Sequence, residues 1–292
     1  MTKTKEILMH EKLPVKIYSH ESQLSNPWLF VKGMFADLLK SRDLAWQLTI
    51  RDIKAQYRQS FLGILWAFIM PLATTVTWIF LNTSGIVKLA PTGIPYPLYV
   101  FSGTLLWSIF MESLQSPLKL SNAAKSTLSK INFPREAIII SGVYQSLFNG
   151  IIKISLIIAT FLIFGIYPGW NLLLFPFAFL SLVIAGTTIG LLITPIGLLY
   201  TDIGRAIPLT MQFVMYITPV VFPIPKDGWA KLLFTFNPLT QLIVVCRDWL
   251  SGTATLYLSG FLIVTTILLF ILFLAWAIYR LVMPIIIERM SA

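Results

Sequence analysis

One cysteine, Cys246, and two histidines, His10 and His20, are all the chain offers of the residue types that most often bind metals or form covalent intermediates. A lone cysteine excludes an intrachain disulfide and any cysteine-based metal cluster. Both histidines sit in the polar opening MTKTKEILMHEKLPVKIYSHESQLSN. No metal-ligand pair recurs at helical spacing, and no glycine-rich phosphate loop or Walker sequence occurs. Neither catalytic nor metal-binding residues are therefore assigned. Charge is scarce too. Asp, Glu, Lys and Arg make up 12% of the chain, about half the share of a soluble domain. Acids are the scarcer sign, 12 against 22 Lys and Arg. Internal repeats and low-complexity tracts are also missing.

What fills the chain is apolar. Hydrophobic residues make up 57% of 292 positions, and mean hydropathy is +0.80. This predicts an all-α integral membrane protein crossing the bilayer several times. The net charge of +10 is explained by cations beside the apolar runs, and no nucleic acid is needed as a partner. Residues 1–26 lack an apolar core segment, which argues against a cleaved signal peptide and predicts a polar cytosolic tail.

The rest is organised around Leu44 to Leu72, LAWQLTIRDIKAQYRQSFLGILWAFIMPL. Trp46, Ile50, Ile53, Tyr57 and Phe61 recur at spacings of four and three, an apolar stripe on one helix face. Arg51, Lys54 and Arg58 fall on a neighbouring face. A helix with these two faces lies in a membrane interface, its cations at the head-groups. Phe61 to Leu81 then holds no formal charge, about 21 residues and enough to cross a bilayer. A shorter interfacial helix precedes it, opened by Asn26-Pro27, with Trp28, Val31, Phe35 and Leu38 on one face. Residues 27–60 thus form amphipathic interfacial helices, and 61–292 a six-span membrane domain.

The six transmembrane helices are expected at about Phe61–Leu81, Tyr96–Ser116, Pro134–Ile166, Leu172–Tyr200, Ala206–Phe222 and Leu256–Val282, the last followed by a short tail. With both termini cytosolic, every Lys and Arg falls inside save Lys88, Lys226, Lys231 and Arg247 outside and Lys153 within a span. The loop from Ser121 to Glu136 reads as a short helix shown to the cytosol, with a stop at Asn132-Phe133-Pro134. Residues 225–252 hold two short apolar runs split at Asn237-Pro238, which suggests external re-entrant helices.

Several groups carry two readings. Glu112 and Lys153 are ionisable groups inside spans, and such groups are functional candidates. Lys153 is a pathway or pairing residue, or a lysine that snorkels to an interface. Asp202 and Arg205, spaced i and i+3, form a local ion pair or mark a cytosolic entrance. Trp66, Trp78, Phe213 and Tyr216 line a conduit or pack against neighbours and lipid. Gly186 with Gly190, and Gly142, Ser146 and Gly150, are small-residue patterns that mark tight helix packing.

The run from Leu48 to Leu72 resembles the opening signature of polysaccharide-export ABC transporter permeases. Further matches follow in order: Asn132 to Glu136 (NFPRE), Tyr200 to Ile203 (YTDI), Thr218 to Val220 (TPV) and Asn237 to Thr240 (NPLT). Thr201 departs from the pattern, standing where that family often has Arg. The resemblance implies a homodimer in the cytoplasmic (inner) membrane, working with two ATP-binding cassette ATPase subunits. ATP and Mg would bind on those subunits, and this chain would carry no cofactor. It implies that Ser121–Ile131 is a coupling helix, with Lys125, Lys130, Asn132, Phe133 and Arg135 docking in the ATPase. It also implies a gate helix before the first span. There Arg51, Lys54, Tyr57 and Arg58 meet the diphosphate head of a lipid-linked polysaccharide, or else anionic membrane lipid. Asp202 and Arg205 would sit at the cytosolic mouth. The rival expectations are an ABC permease for a small lipid or drug, a membrane-embedded enzyme acting on lipid-linked sugars, and an ion-coupled carrier.

Overall fold

The computed structural model describes residues 26–58, 61, 63–87, 90–125 and 134–291. Among them ten α-helices and no strand are found. In chain order they are α1 (Pro27–Lys40), α2 (Arg42–Arg58), α3 (Trp66–Thr83), α4 (Tyr96–Ala123), α5 (Glu136–Ile163), α6 (Phe175–Leu199), α7 (Thr201–Tyr216), α8 (Trp229–Phe236), α9 (Pro238–Ser251) and α10 (Leu258–Ser291). Of the expected assignments, Lys130, Asn132 and Phe133 lie outside the described residues, as do most of the 1–26 tail and most of Ser121–Ile131.

Three helices are long and apolar enough to cross a membrane: Glu136–Ile163, Phe175–Leu199 and Leu258–Arg289. The bent pair Trp229–Phe236 and Pro238–Ser251, turned by 76°, passes the same test when taken together. The chain is thus a multi-pass helical membrane protein. The bend is local chemistry: Asn237 Oδ1 accepts from the Leu239 amide at 3.0 Å, and Pro238 opens the next helix.

α4 is the hub, packed against α3, α5, α6, α7 and α9. It is buried along most of its length. Glycines set how closely its neighbours approach. A Cβ on Gly186 would lie 2.5 Å from the Phe110 carbonyl oxygen and 2.7 Å from Ser113 Cβ. Gly150 faces the Phe179 ring, and Gly142 faces Ser116 Oγ, with no room for a methyl group. Without a hydrophobic drive between helices in lipid, this close backbone approach supplies much of the attraction. Gly186→Ala should therefore cost about 1–3 kcal/mol through overpacking against a backbone that cannot move aside. A drop in the thermal unfolding midpoint of the detergent-solubilised chain checks this.

Three boundaries differ from expectation, two of them at proline. α4 runs through Pro117 to Ala123, so Ser121 to Ala123 are its last turn rather than the start of a separate helix. The proline ring is accommodated because Gly190 opposes it, leaving 3.0 Å between its Cγ and the place of a Cβ. α10 likewise runs through Pro284, and the expected tail is helical, with Met283, Ile286 and Ile287 buried. Proline is tolerated inside membrane helices where neighbours cover the freed backbone groups. α7 ends at Tyr216, short of the expected Phe222, and its only buried residue is Ile207.

Candidate functional site

The interfacial helix α2 docks on α5 through a small and polar face. Ala45 and Thr49 are the buried positions, while Trp46 is more than half exposed. The expected stripe of Trp46, Ile50, Ile53, Tyr57 and Phe61 is therefore not the docked face; Phe61 is fully exposed, and the Tyr57 side chain lies outside the described residues. Thr49 Oγ1 lies 3.1 Å from Ser141 Oγ, and Gln145 Nε2 donates to Asp52 Oδ2 at 3.2 Å. The Trp46 and Tyr144 rings meet edge-on at 5.9 Å. Arg51 pairs with its neighbour Asp52 at 2.7 Å but keeps two thirds of its side chain accessible. Lys54 and Arg58 are exposed. The basic face of α2 is thus presented outward, as an interfacial helix presents it.

A second junction ties α1 to the membrane helices. Arg280 on α10 bridges Asp37 on α1 at 2.6 Å and Glu136 at the start of α5 at 2.8 Å. Phe35 packs edge-on against Trp276 at 5.5 Å, and the Ser121 and Tyr279 hydroxyls are 3.4 Å apart. One guanidinium serves two carboxylates in a mostly buried site, which its planar fork allows. Arg135, half-buried, precedes Glu136, and Lys125 is exposed beyond the end of α4. The Arg280 junction therefore adjoins the segment that carries the expected docking residues.

Between α2, the foot of α3, α4 and α5 lies a polar cavity of about 290 Å³. Lys153 Nζ and Glu112 Oε2 form an ion pair of 2.8 Å at its wall, and Asn149 Nδ2 donates to the other Glu112 oxygen. Of the two readings of Lys153, pairing is the one the structure bears out. Gln115, Lys119, Gln145 and Trp66 complete much of the lining. Sequence reasoning isolated Glu112 and Lys153 but missed the rest. The signal was present: Glu112, Gln115 and Lys119 on one helix and Gln145, Asn149 and Lys153 on the next each recur at helical spacing.

The conduit candidates divide. Trp78 meets Tyr216 at 6.4 Å and Phe222 at 5.0 Å, so α3 and α7 are joined by aromatic contacts. Phe213 is exposed on α7, and Trp66 sits apart, at the cavity just described. Asp202 and Arg205 are both exposed and form no ion pair with each other; the local pair is not made.

Arg247, expected on the outer side of the membrane, is 4% exposed within the α9 packing. Its guanidinium carbon lies 3.8 Å from the Tyr99 ring centroid. Nε donates to Ser102 Oγ, and Nη2 donates to the Tyr99 and Val220 carbonyl oxygens, each at 3.3 Å. One side chain thus fastens the bent helix pair to α4 and to the turn after α7. Cys246, beside it, is fully buried.

The class the fold defines is a multi-pass helical membrane protein, with no group of three or more potential metal ligands among the described residues. Residues 43–251 match the model of the ABC-2 type transporter family, and the chain belongs to that family. It is 26% identical over 210 residues to the O-antigen export system permease protein RfbA of Myxococcus xanthus, covering 71% of this chain and 80% of the relative. A Klebsiella pneumoniae permease of the same description is 27% identical over 236 residues, 76% and 88% of the two chains. The polysialic acid transport protein KpsM of Escherichia coli is 24% identical over 247 residues, 80% and 91%.

Proposed function

We propose that the chain is the membrane-spanning subunit of an ATP-driven exporter that moves a lipid-linked polysaccharide, such as an O-antigen, across the cytoplasmic membrane. The observation that carries this reading is the family match over residues 43–251 together with relatives that are themselves described as O-antigen and polysialic acid transporters. Two copies of this chain pair with two ATPase subunits, which bind ATP and Mg; this chain supplies no cofactor and no catalytic group. In this reading α3, α4, α5, α6, α7 and α10 are the six crossings, α8 and α9 are external re-entrant helices, and both termini are cytosolic. Residues 1–26 are a cytosolic tail, 27–60 the gate helices and 61–292 the membrane domain.

The exposed aromatic faces of α3 and α7 then meet those of the second copy. Trp78, Phe213 and Tyr216 line the conduit, with Trp66 at its foot, and aromatic faces pass sugar rings of many kinds. Asp202 and Arg205 sit at the cytosolic mouth. Arg51, Lys54 and Arg58, with Tyr57, hold the diphosphate as it arrives. Nucleotide-driven closure of the ATPases acts through the segment about 121–131, on which Lys125, Lys130, Asn132, Phe133 and Arg135 dock. The extended amphipathic entry and the re-entrant pair favour a polymer over a small lipid or drug.

Co-expression of the chain with its ATPase and hydrolysis measurements in lipid nanodiscs test the reading. Stoichiometric co-purification and turnover that responds to lipid-linked glycan are expected. Lys125→Glu with Lys130→Glu should reduce ATPase recovery about tenfold, the effect of losing two charge contacts of roughly 0.7 kcal/mol each. Full recovery of the ATPase would remove the docking assignment, and purification without any ATPase would remove the exporter reading.

A further inference from the structure

The cavity between α2, α3, α4 and α5 is more than a place where two charges meet. Its Lys153 stands in α5, a helix long and apolar enough to cross a membrane, more than two turns from either end. Charge at that depth is costly, and two paired side chains alone would be served by a closed contact. Instead the pair borders open space, and Glu112 keeps 30% of its side chain accessible while Lys153 keeps 11%. Lys153 has three donors, and one of them is used by Glu112. Around the pair stand four side-chain amides, Gln56, Gln115, Gln145 and Asn149, with the Ser116 hydroxyl and a second cation, Lys119. The half-exposed Trp66 supplies an aromatic wall at the foot of α3.

We propose that this cavity binds the lipid-proximal sugar of the exported glycan together with its phosphate, holding the head of the substrate in the inner half of the bilayer. This rests on the exporter reading and names a subsite within it. The composition selects the ligand. A phosphate needs cations, which Lys119 and Lys153 supply as point charges. Amides both donate and accept, and so match hydroxyls that do the same. Glu112 accepts from hydroxyls but repels a bare phosphate, which disfavours a simple phospholipid head. Trp66 offers its face to the apolar side of a pyranose ring. The volume, about 290 Å³, is at the small end of ligand sites, suited to one sugar rather than a chain. A polar track leads to it from the interface: Arg51 to Asp52, Asp52 to Gln145, and Gln145 into the cavity lining.

Binding to the full-length chain in nanodiscs, measured by thermophoresis, tests the subsite. The probes are a short polyprenyl diphosphate bearing one hexosamine, the same lipid without sugar, and phosphatidylglycerol. Trp66→Ala and Gln115→Leu should each weaken the sugar-bearing probe about tenfold, the scale of one lost polar or aromatic contact, and leave the sugar-free probe nearly unchanged. Trp66→Phe should retain binding, and Lys119→Gln should weaken both polyprenyl probes. Neither Trp66 nor Gln115 belongs to the ion pair, so an unchanged unfolding midpoint verifies that these variants fold. Wild-type affinity in Trp66→Ala and Gln115→Leu would overturn the subsite and leave the exporter reading intact. Phosphatidylglycerol bound as tightly as the sugar-bearing probe would overturn the ligand class. Failure of the wild-type chain to bind either polyprenyl probe would count against the exporter itself.

Discussion

Replacing Arg247 with methionine should destabilise the fold by about 2–4 kcal/mol, from lost charge-assisted hydrogen bonds, a lost cation–π contact and the cavity left behind. The guanidinium is almost wholly buried and reaches three acceptors on two other parts of the chain. None of these bonds is short, so no single one dominates; the contribution is collective. The Tyr99 ring beneath adds attraction that grows when the cation is desolvated. The site is also built around the side chain. A Cβ at Gly103 would strike the Val220 carbonyl oxygen and lie 2.5 Å from Arg247 Nη2, so only glycine admits the arginine there. Methionine fills part of the volume but leaves the Val220 carbonyl without this donor. Lysine should restore less than half of the loss, because it lacks the planar fork that lies on the ring while donating sideways.

Cys246 gives this prediction a local readout. Its thiol is 0% exposed in the same helix, so the wild-type chain should resist maleimide from either side of the membrane. In Arg247→Met, loosening of α9 should expose it and speed labelling, alongside a lower unfolding midpoint. Equal labelling and an equal midpoint would show that the bent pair is held by its apolar contacts alone. In the proposed exporter this pair caps the outer end of the conduit, so export should fall with the same variant even where the protein still reaches the membrane.

How much of this was legible beforehand depends on whether the signal is local. The apolar runs of α5, α6 and α10 are long, and their existence follows from length alone. Asn237-Pro238 was readable as a break because capping and proline chemistry act within two residues. The spans were expected to end short of Pro117 and Pro284, since the groups that make these prolines tolerable belong to packed neighbours such as Gly190. The protein-facing side of α2 was not legible for a related reason. In an interface the aromatic stripe meets lipid, and the protein contact is made by the small residues Ala45 and Thr49. The Arg280 junction joins residues 243 and 144 positions apart, and no spacing rule reaches that far. The cavity lay between these cases. Its two polar stripes have helical periodicity, but Gln and Asn scattered through apolar runs pass as filler until two helices bring them face to face.

Lys153→Met separates the structural role of that cavity from its proposed binding role. The substitution removes the cation that holds one Glu112 oxygen at 2.8 Å, while Asn149 keeps the other. Breaking a fully buried pair costs roughly 3–5 kcal/mol, because a charge is left without a partner. Glu112 is partly accessible, so solvent in the cavity screens some of this, and about 2–3 kcal/mol is expected. Glu112→Gln should cost less, since a neutral amide can still accept from Asn149 and Lys153 can turn toward the open space. The double variant, Lys153→Met with Glu112→Gln, leaves no buried charge and should recover most of the stability lost in Lys153→Met. Additive losses in the double-mutant cycle would mean that the two side chains act independently, whatever their distance. Binding should not recover with stability. The double variant keeps Trp66 and all four amides but has lost one phosphate cation and the carboxylate that receives hydroxyls. A chain that unfolds like the wild type yet binds the sugar-bearing lipid weakly is therefore the expected result. It would show that the ion pair is retained inside the membrane for what it holds rather than for the packing it provides.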